Sequence, residues 1–368
     1  MNKFLFIAGI AGFITAVSCH KSIQSPSGTT TLELPATTAE YYAASIQYQN
    51  PNINEKATLG RVLFYDGHLS LNNAISCASC HKQALGFADN VAFSTGYEGR
   101  LTGRNSQPIA NLGGTDLTFQ FDIINNTSGI LFWDGRETNV KNLVARPITN
   151  HVEMGITDVS ELPAKLSSLP FYPDLFKKAF GDEEITADRI SQSIAAFLIS
   201  IRSQNTRFDK YKLGDKTALN ALELQGMSLF TQKYNCENCH RTITDMYSSS
   251  GFVDIGLDEV CTDPGNGAVN NNTENRGKFA VPGLRNVALS APYMHDGRFK
   301  TLNDVLDHYS HGIQNSPNLS PLLRDENNQP MAMNIPDQEK QAIIAFLNTM
   351  TDYTMITDQK FSNPFKTK

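Results

Sequence analysis

Two short runs in the sequence carry chemistry of their own, Cys77-Ala78-Ser79-Cys80-His81 and Cys236-Glu237-Asn238-Cys239-His240. In each, two thiols at this spacing can add to the two vinyl groups of one haem while the adjacent imidazole reaches the iron from the proximal face. A zinc site would need four ligands converging within one small module. These two pairs lie far apart in the chain, and each has its own histidine. A thioredoxin-like pair does not ask for a histidine after the second cysteine. The spacing therefore predicts two covalent c-type haems, with His81 and His240 as proximal iron ligands. Of the other cysteines, Cys261 reads as an unpaired thiol and Cys19 closes an N-terminal leader.

The elements that must position these motifs show in the apolar pattern. An amphipathic helical stretch precedes each motif, Glu55 to Tyr65 before the first and Ala218 to Lys233 before the second, the latter with Leu222, Gly226, Leu229 and Phe230 at three-to-four spacing. Later, Ile194-Ala195-Ala196-Phe197-Leu198 and Ile343-Ile344-Ala345-Phe346-Leu347 are near copies within helical stretches at Ile185 to Ser203 and Asp337 to Met350. Duplicated units explain the echo, each wrapping helices around a haem whose apolar face supplies core that a small domain lacks. The expected fold is mainly α, with two cytochrome c-like haem domains in tandem at 41–212 and 213–355 and a tail at 356–368. Between Ala88 and Gly129 helical period is weak, which fits a long functional loop.

The chain is 368 residues long, long enough for two domains of ordinary size. Its 31 Lys+Arg against 37 Asp+Glu leave a net charge of −6, which argues against nucleic-acid binding. Lys3 is followed by an apolar run from Phe4 to Ile14, short for a bilayer span and suited to a signal-peptide core. The run ends in Ala16-Val17-Ser18-Cys19, which looks like a bacterial lipobox. The expectation is a signal peptide at 1–18 and a lipidated, Ser/Thr/Pro-rich tether at 19–40, placing the protein in the periplasm on a lipid anchor at Cys19. An ordinary cleaved signal peptide with an incidental Cys19 is the alternative.

Further motifs carry a family resemblance. Leu63-Phe64-Tyr65-Asp66, Gly103-Arg104-Asn105, Phe132-Trp133-Asp134-Gly135-Arg136, Val152-Glu153-Met154-Gly155, Val281-Pro282-Gly283-Leu284-Arg285-Asn286 and Ala291-Pro292-Tyr293-Met294-His295-Asp296-Gly297-Arg298, with the two haem motifs, resemble the bacterial di-haem cytochrome c peroxidases and their MauG-like relatives. The resemblance runs from about Leu59 to Leu347. It implies that the N-terminal haem is the peroxide site and the C-terminal haem the electron donor. By the same resemblance Glu153 is the distal acid that moves a proton between the peroxide oxygens, and Trp133 is the oxidisable relay between the haems. His295 lies in the space between them, within reach of a propionate. Asn105, with the carbonyls of Ser290 and Pro292, matches an oxygen-rich calcium site. Pro147 keeps its family position, whereas Leu143 stands where a distal Gln is usual.

Two further positions depart from the peroxidase branch. Where that branch has a histidine capping the resting peroxidatic iron, this sequence has Tyr97, so the first haem is expected to be open without reductive activation. Where it has a Met on the second haem, this sequence has Tyr309, as MauG-like proteins do. A phenolate there favours oxidised iron and lowers the potential, although His308, His311, Met331 and Met333 are alternative ligands nearby. The resulting expectation is a peroxidase that reduces hydrogen peroxide with electrons from a small cytochrome c or cupredoxin. Homodimerisation is compatible with it. The rival readings are a MauG-like oxidase of a protein or organic substrate and a non-enzymatic electron carrier with two six-coordinate irons.

Overall fold

A computed structural model describes residues 31–32, 52–112, 130–241 and 247–366. Cys19 and the signal peptide lie outside the described residues, and of the tether only Thr31–Leu32 is described. The architecture is mainly α. In chain order the elements that matter for the site are β1 (Thr31–Leu32), α1 (Ile53–Tyr65), α2 (Val140–Ile148), α3 (Tyr172–Phe180), α4 (Ala187–Ser200), α5 (Ala221–Ser228), β2 (Tyr247–Val253), β3 (Phe279–Pro282), α6 (Leu302–Asp307), α7 (Asp337–Asn348) and β4 (Phe365–Lys366). The four expected helices are present as α1, α4, α5 and α7. The stretch after α5 widens into one π-helical turn, Leu229–Lys233.

The duplication is visible as a repeated helix crossing. A Cβ on Gly60 of α1 would fall 1.8 Å from the Ser193 carbonyl oxygen of α4, and a Cβ on Gly226 of α5 would fall 1.8 Å from the Ala342 carbonyl oxygen of α7. Each contact also abuts a phenylalanine Cβ, Phe197 in one pair and Phe346 in the other. Glycine is needed at both sites because the two backbones touch there. The near-copied segments are thus the partners of the helices that lead into the two haem motifs.

Two apolar cores follow from these crossings. The first gathers Leu59, Leu63, Phe64, Phe87, Tyr172, Phe176 and Phe197. The second is much smaller and centres on Phe208, Phe230, Ile343, Phe346 and Leu347. Two short antiparallel ladders complete the fold, β2 with β3 and β1 with β4.

After α7 the chain runs back over the first unit as a strap, which includes the described part of the expected tail. Met355 and Phe361 enter the first core, each 2% exposed. Arg61 Nε donates to the Ser362 carbonyl at 2.6 Å and the Tyr65 hydroxyl to the Phe361 carbonyl at 2.7 Å. The apolar side chains of the strap find their burial in a partner far away in sequence.

Asp352 fastens the start of this strap. Its carboxylate accepts the backbone N–H groups of Gln204, Asn205, Thr354 and Met355 and the Thr354 hydroxyl, while its own N–H donates to Asn286 Oδ1. Burial raises the carboxyl pKa, and these hydrogen bonds more than reverse that, holding it below the usual carboxylate value. Asp352→Ala leaves buried donors unsatisfied and is expected to cost about 2–3 kcal/mol at neutral pH, read from the denaturant midpoint. Because the folded pKa is depressed, the contribution is complete above the ordinary carboxylate pKa and fades as pH falls through the lower folded value. The gap between the two proteins should therefore close in acid.

Candidate functional site

The first motif sits on one helical turn, Cys77–Cys80, entered through a capping box formed by Ser76 and Ser79. His81 ends that turn, and its Nδ1 lies 3.0 Å from the Phe87 carbonyl oxygen. A carbonyl can only accept, so Nδ1 carries the proton and Nε2 is left with its lone pair. Burial lowers the His81 pKa and keeps the ring neutral. Phe87 is fully buried with φ +63°, a left-handed conformation rare for a bulky residue. Burial also pushes the thiols up, Cys77 to about 12 and Cys80 to about 11.

Glu153 lies in the same pocket. Its charge contributes to the raised pKa of both Cys77 and Cys80. Burial raises its own pKa, with Arg136 pulling weakly the other way. Asn150, which sequence reasoning missed, donates from Nδ2 to Glu153 Oε1 at 2.9 Å. Its carbonyl accepts the N–H groups of Glu153, Met154 and Gly155. The trace of it in the sequence is a polar residue three before an acid, a common pattern with little meaning alone. Leu143 packs against the first core, and Pro147 lies within α2.

Tyr97 is a loop tyrosine. Its N–H is shared between the Val152 and Glu153 carbonyls. Its ring rests against the place a Gly155 Cβ would occupy.

The second pocket repeats the first. Cys236–Asn238 forms a single 3-10 turn, and His240 Nδ1 lies 3.0 Å from the Pro282 carbonyl oxygen at the end of β3. Burial again lowers the histidine pKa and raises the Cys236 thiol to about 12. Tyr309 lies on a π-helical turn, His308–Gly312, a geometry often found at functional positions. Its hydroxyl is raised well above the normal tyrosine pKa, first by burial and then by the nearby Cys236 and Cys239. His308 is engaged elsewhere, with Nε2 2.9 Å from the Ile255 carbonyl. His311 is exposed, and Met333 packs beside Tyr309.

Between the pockets, the Trp133 indole N–H donates to the Asn105 carbonyl at 2.9 Å. The Trp133 carbonyl accepts from the Ala280 N–H at 2.8 Å. Trp133 is thereby tied to β3, the strand whose end holds His240. Asn105 N–H donates to the His295 carbonyl at 2.7 Å. The His295 ring stacks on Phe279 at 3.8 Å between centroids, and burial keeps it neutral. Arg104 reaches from the first unit to Asp263 in the second, pairing at 2.7 Å, and to Asp134 at 2.6 Å. The sequence showed no pairing among these three.

The residues present fit two covalent haems. Each pocket offers two thiols on one turn and a neutral imidazole whose second nitrogen is oriented by a carbonyl, the usual arrangement behind a metal-bound histidine. For calcium, Asn105 is held by Nδ2 donation to the Val91 and Ala92 carbonyls. No hydrogen bond engages its Oδ1 among the described residues. Ser290 and Pro292 lie on the loop that leads to His295, whose carbonyl accepts from the Asn105 N–H.

Comparison with known proteins agrees. The model of the di-haem cytochrome c peroxidase family matches residues 54–217. The methylamine utilization protein MauG of Methylorubrum extorquens is 35% identical over 305 residues, 82% of this chain and 79% of that protein. The cytochrome c551 peroxidase of Nitrosomonas europaea is 35% identical over 265 residues, 71% of this chain and 75% of that protein. In three dimensions, the crystal structure of a MauG-like protein associated with microbial copper homeostasis superposes with a TM-score of 0.75 at 29% identity, covering 93% of this chain and 99% of that one.

Proposed function

This chain belongs to the di-haem cytochrome c peroxidase family, and on that premise we propose that it reduces hydrogen peroxide to water in the first pocket with electrons taken up at the second. The observation that carries the reading is Glu153, a half-buried carboxyl near the haem-attachment cysteines of the first pocket.

When bound, each haem supplies an iron centre for redox chemistry. Cys77, Cys80 and His81 would hold the first, and Cys236, Cys239, His240 and Tyr309 the second. Glu153 takes the proton from the near oxygen of hydrogen peroxide and returns it to the departing one, so that two protons and two electrons yield two waters. Asn150 aims the carboxylate. Trp133, tied to both units, is the oxidisable side chain of the junction. His295 and a calcium ion at Asn105, Ser290 and Pro292 hold the junction together. The donor is a small cytochrome c or cupredoxin. The protein works in the periplasm, on a lipid anchor at Cys19. No helix among the described residues is long and apolar enough to cross a membrane.

The second reading, peroxide-dependent oxidation of a protein or organic substrate, is favoured by Tyr309 beside Cys236 and Cys239 and by Tyr97 in place of a capping histidine. Both readings expect the fully oxidised holoprotein to show one high-spin and one low-spin haem and to change its visible spectrum on mixing with peroxide. Two low-spin signals and inertness to peroxide would instead identify a carrier. Turnover with a reduced small cytochrome, set against oxidation of candidate proteins, separates the two enzymatic readings.

A further inference from the structure

The C-terminal strap touches the first haem pocket at its proximal side. Phe361 is 2% exposed, and its ring meets the Phe87 ring edge to face at 6.4 Å and the Phe197 ring at 6.3 Å. Phe87 is the residue whose carbonyl accepts the His81 Nδ1 proton, and it does so from a left-handed backbone. For a bulky side chain that conformation is strained and persists only where the surroundings hold it. Phe64 meets the same ring at 6.1 Å. A second tie lies on the same loop, where Gln83 Nε2 donates to the Met355 carbonyl at 3.0 Å and the Asp358 carbonyl at 2.9 Å.

We infer that the strap residues 355–362 position the proximal ligand of the first haem. Phe361 and the Gln83 bonds fix the Phe87 carbonyl, and that carbonyl sets the strength of the hydrogen bond to His81. A firm Nδ1–H to carbonyl bond makes the imidazole a stronger donor and favours oxidised iron. Phe361 is thus a positioning residue for a pocket it does not enter. The strap leaves the second unit at Asp352, so it joins the two halves mechanically as well.

The inference rests on His81 as proximal ligand, and the test keeps the two apart. In the holoprotein, Phe361→Ala is expected to raise the reduction potential of the first haem and lower its iron–histidine stretching frequency, leaving the second haem unchanged. Gln83→Leu, which leaves the core filled, should move both readings in the same direction by less. Loss of the first-haem iron–histidine band in His81→Gly verifies the premise, and its survival would overturn that premise instead. Unchanged first-haem potentials in both strap variants, or equal shifts at both haems, would overturn the inference.

Discussion

Replacing Glu153 with Gln is expected to slow peroxide turnover by about 10²–10⁴-fold, the usual weight of a positioned acid–base group, while both haems and their spectra stay intact. Gln keeps the shape and can still accept from Asn150 Nδ2, so the loss isolates proton transfer. The pH profile gives a second reading. Burial holds the Glu153 carboxyl above the ordinary glutamate value, so it is ionised, and able to take a proton, only above that raised pKa. Turnover should fall on the acid side at a higher pH than for an exposed glutamate, and Glu153→Gln should abolish that limb. Arg136 favours the charged form, so Arg136→Ala should move the limb further toward alkali. Asn150→Ala should reduce turnover less than Glu153→Gln. A less than tenfold loss in Glu153→Gln would remove this carboxyl from the chemistry.

Much of this arrangement was legible before any coordinates. The four paired helices could be read because an apolar face with helical period is a local property, and the haem motifs because their spacing is the chemistry. The family resemblance pointed to Glu153, Trp133 and Tyr309, side chains that periodicity alone does not distinguish from core or loop residues. The structure brings Glu153 to Cys77 and Cys80, and Tyr309 to Cys236 and Cys239.

Most of what could not be read depends on partners distant in sequence. Phe361 looks like a tail residue until the first core is there to receive it. Phe87 carries no mark of its left-handed backbone, since Gly or Asn, not Phe, signals that conformation. Arg104, Asp134 and Asp263 join only when the two units meet, and charge content alone does not pair them. Asn150 lies near Glu153 in sequence, but its amide is informative only once the turn between them is formed. Apart from the local Asn150 turn, long-range closure rather than local propensity produced these features.

The same contrast predicts that the two haems are unequal as structural elements. Cys236→Ala with Cys239→Ala is expected to remove the second haem and, with it, the ordered fold of the C-terminal unit. Cys77→Ala with Cys80→Ala should remove the first haem and leave the N-terminal helices packed. The first core holds large side chains that are buried without help, including Phe64, Phe87, Tyr172, Phe176 and Phe197 at 1% exposure or less. Around the second motif, Tyr234, Leu284 and Met333 are only partly buried by the chain itself. Each large apolar side chain left uncovered forgoes about 1.5–3 kcal/mol, and a few of them match the about 5–15 kcal/mol that holds a whole domain folded. Hydrogen exchange resolved by segment reads the difference directly. Protection should collapse across α5 and α7 when Cys236 and Cys239 are replaced and persist across α1 and α4 when Cys77 and Cys80 are replaced. Equal protection in the two variants would mean that the smaller core is sufficient on its own.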